Sequence, residues 1–336
     1  MQTSPPVSVV IPVRNDARYI GICLASLRAT TYPKARLEVL VVDGESDDGT
    51  REIVQRFQSD GLSLRLLENP KRSRCAALNA GIGAARGEII LRLDARNVVP
   101  PDYIGKCVQA LRATGAHNVG GFLRPLARST TQEAIGLAMS HHFGVGNARF
   151  RLEKSGGYVD SVYLGCFPRE VFGRVGLFDD DASVISEDSD MNQRIRASGA
   201  GVYLDPTIEI YYYPRETLRD LGRLYFRYGG ARAGTILKHH RPTSLRQLVP
   251  ATFLLTLGTL GVLTPFHRAF ALSFLAMASF YLACNVVVSA WLSCRKRKWA
   301  LGPRLLAAFP VMHFAFALGF LRRMLQRPRP GTYWGY

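Results

Sequence analysis

Four short apolar runs divide the first hundred residues, and stretches with the apolar spacing of helices lie between them. Short runs made mostly of apolar residues are typical of strands buried on both faces of a sheet. They are Val7–Ile11, Leu37–Val42, Leu62–Leu67 and Ile89–Leu93. Strands that alternate with helices in this way are joined by right-handed crossovers. The pattern therefore predicts an α/β fold class, with a mixed, mostly parallel sheet flanked by helices.

The last third of the chain has a different pattern. Residues Arg215–Arg232 place apolar side chains on one face of a helix and arginines on the other, which fits either a helix lying on a membrane or a packed surface helix. Apolar segments long enough for membrane helices follow at Leu248–Phe266, Ala269–Ser293 and Leu305–Leu321. We therefore divide the chain into an N-terminal domain (1–214), a basic interfacial region (215–247), a membrane segment (248–325) and a tail (326–336).

The basic run Arg295–Lys298 orients the membrane segment. The positive-inside rule places it, and with it the N-terminal domain, on the cytoplasmic side of a plasma membrane. The first two apolar segments then form a hairpin across the bilayer. The third segment is ambiguous because Pro310 interrupts it and because Arg322 and Arg323, which also favour the inside, follow it. The sequence leaves open a re-entrant or interfacial segment broken at Pro310 and a plain third span of a multi-pass protein.

Charge is distributed as unevenly as hydrophobicity. The formal net charge is +17, yet the last acidic residue is Asp220, and sixteen Lys or Arg residues follow it. Because these basic residues flank apolar segments, they fit an anionic membrane surface better than a nucleic acid. The six cysteines form no CxxC pair, which indicates buried thiols in a reducing compartment. The N-terminus has no basic region before its first strand, so no signal peptide is predicted.

Acidic residues follow two of the predicted strands. Asp43 ends the second strand and Asp94 the fourth. Parallel pairing would bring both to the carboxyl edge of the sheet, where α/β proteins bind ligands. A carboxylate there can accept from a ribose hydroxyl or hold a divalent cation against a diphosphate, and an Asx turn is the alternative for each residue. The glycine loops of dinucleotide-binding folds and P-loops are absent.

Further candidates lie elsewhere along the chain. Glu187 and Asp188 begin a predicted helix after Ser186, where Asp188 is either a general base or, with Glu187, a first-turn acid favoured by the helix dipole. Spacing alone does not separate these alternatives. Arg72 lies between a strand and a helix, either as a surface charge or as a partner for a diphosphate.

Several stretches together resemble the inverting family 2 glycosyltransferases of the GT-A (Rossmann-like) fold. The stretches are Val7–Asn15 (VSVVIPVRN), Leu37–Thr50 (LEVLVVDGESDDGT), Ala77–Gly81 with Ala85–Leu93, Asp94-Ala95-Arg96 and Glu187-Asp188-Ser189-Asp190. Within that family, His141–Arg151, Phe226–Ala233 and the apolar C-terminal segments are most similar to the membrane-bound succinoglycan-biosynthesis glucosyltransferases.

The resemblance implies a role for each matching residue. The nucleotide sugar would be bound by Pro12, Val13, Arg14, Asp43, Arg72, Asp94, Ala95 and Arg96, and the acceptor or diphosphate side would include Gly165, Glu187 and Arg232. Asp188 would be the catalytic base, and Asp94 would hold Mg²⁺ or Mn²⁺. Arg96 stands where the second acid of the family's Asp-x-Asp motif is expected. Either Asp94 alone holds the cation, or Arg96 pairs with the diphosphate and metal dependence is reduced.

The resemblance thus implies a membrane-anchored, inverting hexosyltransferase of polysaccharide or glycolipid synthesis. It would transfer one sugar from a nucleotide-sugar donor, a UDP-hexose, to a lipid-linked saccharide acceptor, with anionic membrane lipids as further partners and no nucleic acid. The alternatives are transfer to a polyprenyl phosphate, a nucleotidyltransferase on a similar fold, and a degenerate, non-enzymatic membrane scaffold.

Overall fold

The computed structural model describes residues 4–59, 62–152, 155–180, 186–240, 242 and 245–326. The strands are β1 (Val7–Val13), β2 (Leu37–Asp43), β3 (Leu64–Glu68), β4 (Ile89–Arg92), β5 (Asn97–Val98), β6 (Asn118–Pro125), β7 (Gly157–Tyr158), β8 (Cys166–Pro168) and β9 (Val202–Tyr212). The α-helices are α1 (Ala17–Arg28), α2 (Thr50–Ser59), α3 (Arg74–Ala84), α4 (Tyr103–Thr114), α5 (Thr130–Ala138), α6 (His142–Val145), α7 (Arg149–Leu152), α8 (Val171–Val175), α9 (Glu187–Ala197), α10 (Leu218–His239), α11 (Val249–Leu263), α12 (Arg268–Lys296) and α13 (Gly302–Leu325). The predicted tail lies outside the described residues except for Gln326.

The chain forms two compact units. Of the described residues, the first unit takes in those up to 124 and those from 155 to 212, and the second takes in 125–152 and those from 213 to 326. The segment 125–152, which contains α5, α6 and α7, therefore belongs with the C-terminal helices.

The first unit is built on a sheet whose first four strands are parallel. β1 pairs with β2 on one side and with β4 on the other, and β3 flanks β2. Every residue of β1 is buried, as expected of a strand covered on both faces. Gly81 of α3 lies so close to β1 that an added Cβ would collide with the Val10 side chain. The predicted α/β fold with flanking helices is confirmed.

The rest of this sheet is antiparallel where its pairing is defined. The strand order among the described residues is β3-β2-β1-β4-β8-β6-β9-β5, with β7 on β9. β8 is antiparallel to both β4 and β6, and β9 is antiparallel to β5 and β7. The carboxyl ends of β1, β2, β3 and β4 share one edge, so Asp43, the last residue of β2, and Asp94, just after β4, lie on that edge.

The second unit is helical. Residues of α5, α10, α12 and α13 bury one apolar cluster, in which Phe309 and Met312 of α13 pack with Leu221 and Tyr225 of α10. Within the described residues, three stretches are long and apolar enough to cross a membrane: Leu245–Leu263, Arg268–Lys296 and Trp299–Leu325.

Helix α13 continues through Pro310, so the break at that residue, which one of the two alternatives required, does not occur. Proline has no backbone N–H, and it leaves the carbonyl oxygen four residues earlier without its helical donor. That carbonyl belongs to Leu306, and the Asn285 side chain of α12 donates to it at 3.0 Å. Ser289 in turn donates to the Asn285 side-chain oxygen at 3.2 Å. A neighbouring helix therefore supplies the hydrogen bond that the proline removes.

Candidate active site

Asp43 lies at the end of β2 and is fully buried. Its two carboxylate oxygens accept from the Ser46 hydroxyl at 2.5 Å and from the Ser46 backbone N–H at 3.0 Å. Arg51 approaches the same carboxylate at 3.4 Å and bonds Glu68, the last residue of β3. The bond from the Ser46 N–H spans three residues rather than the two of an Asx turn, and with the Ser46 hydroxyl it holds the carboxylate at the carboxyl edge.

Asp94 follows β4 and is held by side chains on several sides. Its backbone N–H donates to the Asn97 side chain at 2.8 Å, which orients the turn after the strand. One carboxylate oxygen lies 3.3 Å from Nη2 of Arg92, and the other lies 3.5 Å from the Tyr163 hydroxyl. Ala95 is buried beside it. The Asp94 carboxylate therefore already has a guanidinium partner before any ligand is considered.

Arg92 is the residue that the sequence analysis missed. Its side chain is 4% exposed, and its Nη2 also donates to Glu187 at 2.7 Å. One guanidinium thus joins the end of β4 to the first turn of α9. Within the described part of the chain, its Nε and Nη1 have no hydrogen-bond partner, and the Phe178 ring lies 5.9 Å from the guanidinium carbon. The sequence did contain a signal for this residue: Arg92 is a charged residue inside an otherwise apolar strand. A charge buried in a strand needs a partner of opposite charge.

Glu187 forms a second ion pair, with Arg74. Arg74, in the first turn of α3, contacts the same carboxylate oxygen at 3.2 Å. Ser73 caps α3 by accepting from the Ala76 N–H. This fixes the start of the helix and so the position of Arg74 in its first turn. Burial alone would raise the pKa of Glu187, but the charges of Arg92 and Arg74 outweigh it and lower that pKa to about 2. Glu187 is therefore an ionised partner of two arginines and is unsuited to act as a base.

Asp188 lies next to Glu187 in the first turn of α9 and is partly exposed. Its Oδ1 accepts from the Ser189 N–H at 2.7 Å and from the Ser186 hydroxyl at 3.3 Å. Ser186 is at the N-cap position, but its side chain does not cap the helix backbone. The Ser186 hydroxyl instead donates to the Asp188 carboxylate.

Some of the remaining candidate residues lie beside the site and others do not. Pro12 and Val13 end β1 and are buried, Val13 pairs with Asp43 of β2, and the Arg14 side chain lies against Gly44. Arg72 has a left-handed φ of 53° and pairs with Glu45. Gly165 accepts from the Arg92 backbone N–H at 3.0 Å and has a φ of 132°, which favours glycine. Arg232 lies on α10 in the second unit.

Arg96 is directed at a carboxylate of its own. Its Nε donates to Asp16 at 3.0 Å, and its guanidinium lies 4.4 Å from the centre of the Tyr19 ring. The arginine in contact with Asp94 is thus Arg92. Among the described residues, no group of three His, Cys, Asp or Glu side chains is placed to hold a metal. A substrate-bound Mg²⁺ or Mn²⁺ needs only one or two protein carboxylates, and Asp94 is the residue here that fits this requirement.

Comparison with known proteins identifies the family to which the chain is similar. The chain matches the family described as glycosyl transferase family 2 over residues 8–167, and glycosyl transferase family group 2 over residues 89–321. It is 30% identical over 326 residues to the succinoglycan biosynthesis protein ExoA of Rhizobium meliloti (strain 1021), with 96% of both chains covered.

Two more distant proteins extend the comparison. A dolichyl N-acetyl-alpha-D-glucosaminyl phosphate 3-beta-D-2,3-diacetamido-2,3-dideoxy-beta-D-glucuronosyltransferase of Methanococcus voltae is 24% identical over 239 residues, with 69% of this chain and 74% of that protein covered. The chain is also similar in structure to the mannosyltransferase PcManGT from Pyrobaculum calidifontis, solved in complex with GDP-Man and Mn²⁺. The match covers 96% of this chain and 88% of the PcManGT chain. Its TM-score is 0.62 at 21% sequence identity, which shows a likeness of fold.

The mixed sheet and the matches define a glycosyltransferase of the GT-A fold with C-terminal helices apolar enough to cross a membrane. The chain belongs to glycosyltransferase family 2, and the family resemblance of its motifs is confirmed.

Proposed function

We propose that this protein is a membrane-anchored, inverting glycosyltransferase that moves one hexose from a UDP-sugar to a lipid-linked saccharide. The observation that carries the proposal is the bridge from Asp94 through Arg92 to Glu187. This bridge ties the strand end expected to face the donor to the helix that bears Asp188. The named roles of relatives in succinoglycan biosynthesis and in transfer to a dolichyl phosphate-linked sugar support the acceptor class.

The chemistry assigned to these residues is a one-step displacement. Asp188 takes the proton of an acceptor hydroxyl, and the oxygen attacks the anomeric carbon from the side opposite the diphosphate. The bond from that carbon to the diphosphate oxygen breaks, and its electron pair leaves with the nucleoside diphosphate. Asp43 and the end of β1 hold the nucleoside. A positioned base and a neutralised leaving group supply the rate enhancement.

Positive charge for the leaving diphosphate comes first from the chain itself. Arg74, in the first turn of α3, is partly exposed beside Glu187, and Arg72 lies in the loop just before α3. A divalent cation, when bound with the donor, would add Lewis-acid neutralisation at Asp94. Arg92 opposes that cation by its own charge, so we expect activity to depend on Mn²⁺ less steeply than a site with two carboxylates would require.

The proposed location is the cytoplasmic face of a plasma membrane, with the helical unit as a multi-pass anchor. The second unit carries the basic C-terminal third of the chain, and anionic lipids would attract it. A lipid-linked acceptor would then be presented by the same membrane surface that holds the enzyme.

The test is sugar transfer by detergent-purified wild type, Asp188→Asn and Asp102→Asn. Asp102 is an exposed aspartate paired with Lys106, and it serves as the matched control. UDP-glucose, UDP-galactose and GDP-mannose are offered with extracted lipid-linked saccharides or polyprenyl phosphate, in Mn²⁺ or in a chelator. We expect one sugar per acceptor, a rate lower by roughly 10²–10⁴-fold for Asp188→Asn, and no change for Asp102→Asn.

Equal rates for the two variants would remove Asp188 from the role of base. Preferred turnover of GDP-mannose would correct the donor, and preferred transfer to polyprenyl phosphate would correct the acceptor. Wild type that turns over none of these donors would leave the non-enzymatic scaffold as the better function.

A further inference from the structure

Asn79 of α3 holds one residue of the segment that precedes α9. Its side-chain nitrogen donates to the backbone carbonyl of Phe178 at 2.7 Å, and its side-chain oxygen accepts from the Phe178 backbone N–H at 2.9 Å. A side-chain amide offers a donor and an acceptor that match both polar groups of one backbone residue, which an ionised carboxylate or a methyl group cannot do. Asn79 therefore fixes the main chain at Phe178 as a paired strand would.

The Phe178 side chain is anchored in the core on its other side. It is 3% exposed, and the centre of its ring lies 6.1 Å from that of Phe172 and 6.4 Å from that of Phe167. The same ring lies 5.9 Å from the guanidinium carbon of Arg92. Phe178 therefore connects the amide of Asn79 to the buried arginine of the candidate site.

The contact with Phe178 matters to Arg92 because hydrogen bonds engage this guanidinium on one side. Nη2 contacts Asp94 and Glu187, whereas Nε and Nη1 have no hydrogen-bond partner within the described residues. An aromatic ring attracts a cation and covers it from water. Displacement of the ring would give water access to Nε and Nη1, and the guanidinium would then be free to turn away from the two carboxylates.

Neighbouring residues of α3 hold the segment at two further points. The hydroxyl of Ser73, which caps α3, donates to Asp180 at 2.5 Å, and Arg74 contacts Glu187 at 3.2 Å. These contacts remain when the side chain of Asn79 is removed. Loss of the Asn79 amide therefore releases Phe178 without detaching the whole segment from α3.

The body of α9 is attached to the sheet by contacts of its own. The Asn192 side chain accepts from Asn118, the first residue of β6, at 2.6 Å, and Met191 and Ile195 are fully buried. The helix should therefore stay folded when Asn79 is replaced. The change should be confined to Arg92 and to the first turn of α9.

We propose that Asn79 is a positioning residue for sugar transfer. Through Phe178 it keeps the Arg92 guanidinium in place. Arg92 in turn ties the first turn of α9, which bears Asp188, to the strand end that faces the donor. The inference rests on the proposed function, because Asp188 acts as the base there.

The experiment compares wild type, Asn79→Ala, Asn79→Asp and Gln58→Ala as full-length protein purified in detergent. Asn79→Ala removes both hydrogen bonds to Phe178. Gln58 is the matched control, because its side-chain amide donates to the carbonyl of Leu64 at 3.2 Å, at the start of β3 and thus on the opposite edge of the sheet. We measure the unfolding temperature, kcat, and KM for the donor and the lipid-linked acceptor that wild type turns over.

We expect Asn79→Ala to lower kcat by on the order of 10²-fold, because the base is displaced from the reacting centre. The KM for the donor should change little, since Asn79 touches no substrate. Gln58→Ala should keep the wild-type kcat. A lower unfolding temperature for Asn79→Ala with the wild-type kcat would make Asn79 a purely structural residue and would overturn the inference.

The pH dependence of Asn79→Asp gives a second readout, which also serves should Asn79→Ala fold poorly. An ionised carboxylate at position 79 accepts from the Phe178 N–H but repels the Phe178 carbonyl, whereas a protonated one has an O–H that donates to that carbonyl. The kcat of Asn79→Asp relative to wild type should therefore rise as the pH falls from about 7.5 to about 5, and that of Asn79→Ala should stay constant. The same pH dependence for both variants would contradict the role of these hydrogen bonds.

A double-mutant cycle on the unfolding temperature needs no sugar transfer. Asn79→Ala should lower the unfolding temperature less in an Arg92→Met background than in wild type, because the arginine that Phe178 supports is then absent. Equal decreases would show that Asn79 does not act through Arg92 and would overturn the inference while the proposed function stood. If wild type transferred no sugar, the proposed function would fail and the role in transfer with it, whereas the cycle would still report the contact.

Discussion

One buried polar side chain from each unit makes a useful comparison. In the first unit a charged guanidinium, Arg92, lies between two carboxylates away from water. In the second unit the buried group is a neutral amide, Asn285, which serves a carbonyl left open by a proline. A buried charge is costly unless its partners neutralise it, whereas a neutral hydrogen bond needs only one good partner.

Arg92 and Asn285 differ in what their burial contributes to the folded protein. A buried ion pair is often no more stabilising than apolar residues of the same volume, so stability alone does not explain Arg92. Its position between Asp94 and Glu187 gives it a use in the site. The Asn285 hydrogen bond, by contrast, satisfies the Leu306 carbonyl that Pro310 leaves without a donor. Stability alone is enough to explain it. Three experiments can break or sharpen this contrast.

Arg92→Met should have the largest effect. It leaves Glu187 buried with only the partly exposed Arg74 as its partner, and breaking such a pair costs about 3–5 kcal/mol. Displacement of α9 by an ångström would lower sugar transfer by on the order of 10²-fold. Arg92→Lys keeps the charge but cannot reach both carboxylates with a planar fork, so an intermediate loss is expected. Thermal unfolding and donor turnover of detergent-purified protein measure both effects.

The matched control is Arg65→Met. Arg65 pairs with Glu38 at 3.2 Å, but its side chain is 39% exposed. A pair of that kind contributes at most about 1 kcal/mol, and activity should not change. If Arg92→Met were as stable and as active as Arg65→Met, the bridge would have no part in the site.

The pH dependence of stability should isolate Glu187. Its pKa is lowered from 4.5 to about 2 in the folded protein, so the ionised pair stabilises the fold fully above 4.5. That contribution is lost as the pH falls from about 4.5 through about 2. Wild type should therefore exceed Glu187→Gln in unfolding temperature at pH 7, with a gap that narrows across this window. A gap that stays constant between pH 6 and pH 3 would contradict the depressed pKa.

Asn285→Leu should have the smallest effect, and it should depend on Pro310. The substitution leaves the Leu306 carbonyl without a donor, at a cost of about 1–3 kcal/mol. In a Pro310→Ala background the N–H of residue 310 can donate to that carbonyl, so the same substitution should cost less. A double-mutant cycle on unfolding in detergent measures the coupling. Equal costs in both backgrounds would separate Asn285 from the proline.

The parallel half of the sheet was predictable because its strands are short runs made mostly of apolar residues. β1 and β2 extend the predicted runs by only one or two residues. The second half was harder because its strands are short or irregular. β9 (Val202–Tyr212) is one continuous strand although Asp205 and Pro206, residues typical of turns, lie inside it, and the Thr207 N–H donates to the Asp205 side chain at 2.8 Å.

The site was predictable only as far as strand ends reveal it. Asp43 and Asp94 follow directly from where buried strands stop. Arg92 does not, because its use depends on Glu187, which lies far away in sequence and reaches it only in the folded unit. Likewise, spacing could suggest that Arg96 approaches the diphosphate, but it could not reveal that Asp16 already holds this side chain.

Gly229 and Gly319 have a consequence for how this sequence can vary. A methyl group added at Gly229 would collide with the backbone of α13, and one added at Gly319 would collide with the backbone of α10. Since main chain forms the obstacle on both sides, no rearrangement of neighbouring side chains makes room. A larger residue at either position would force the two helices apart, so we expect sequence variation to spare both glycines.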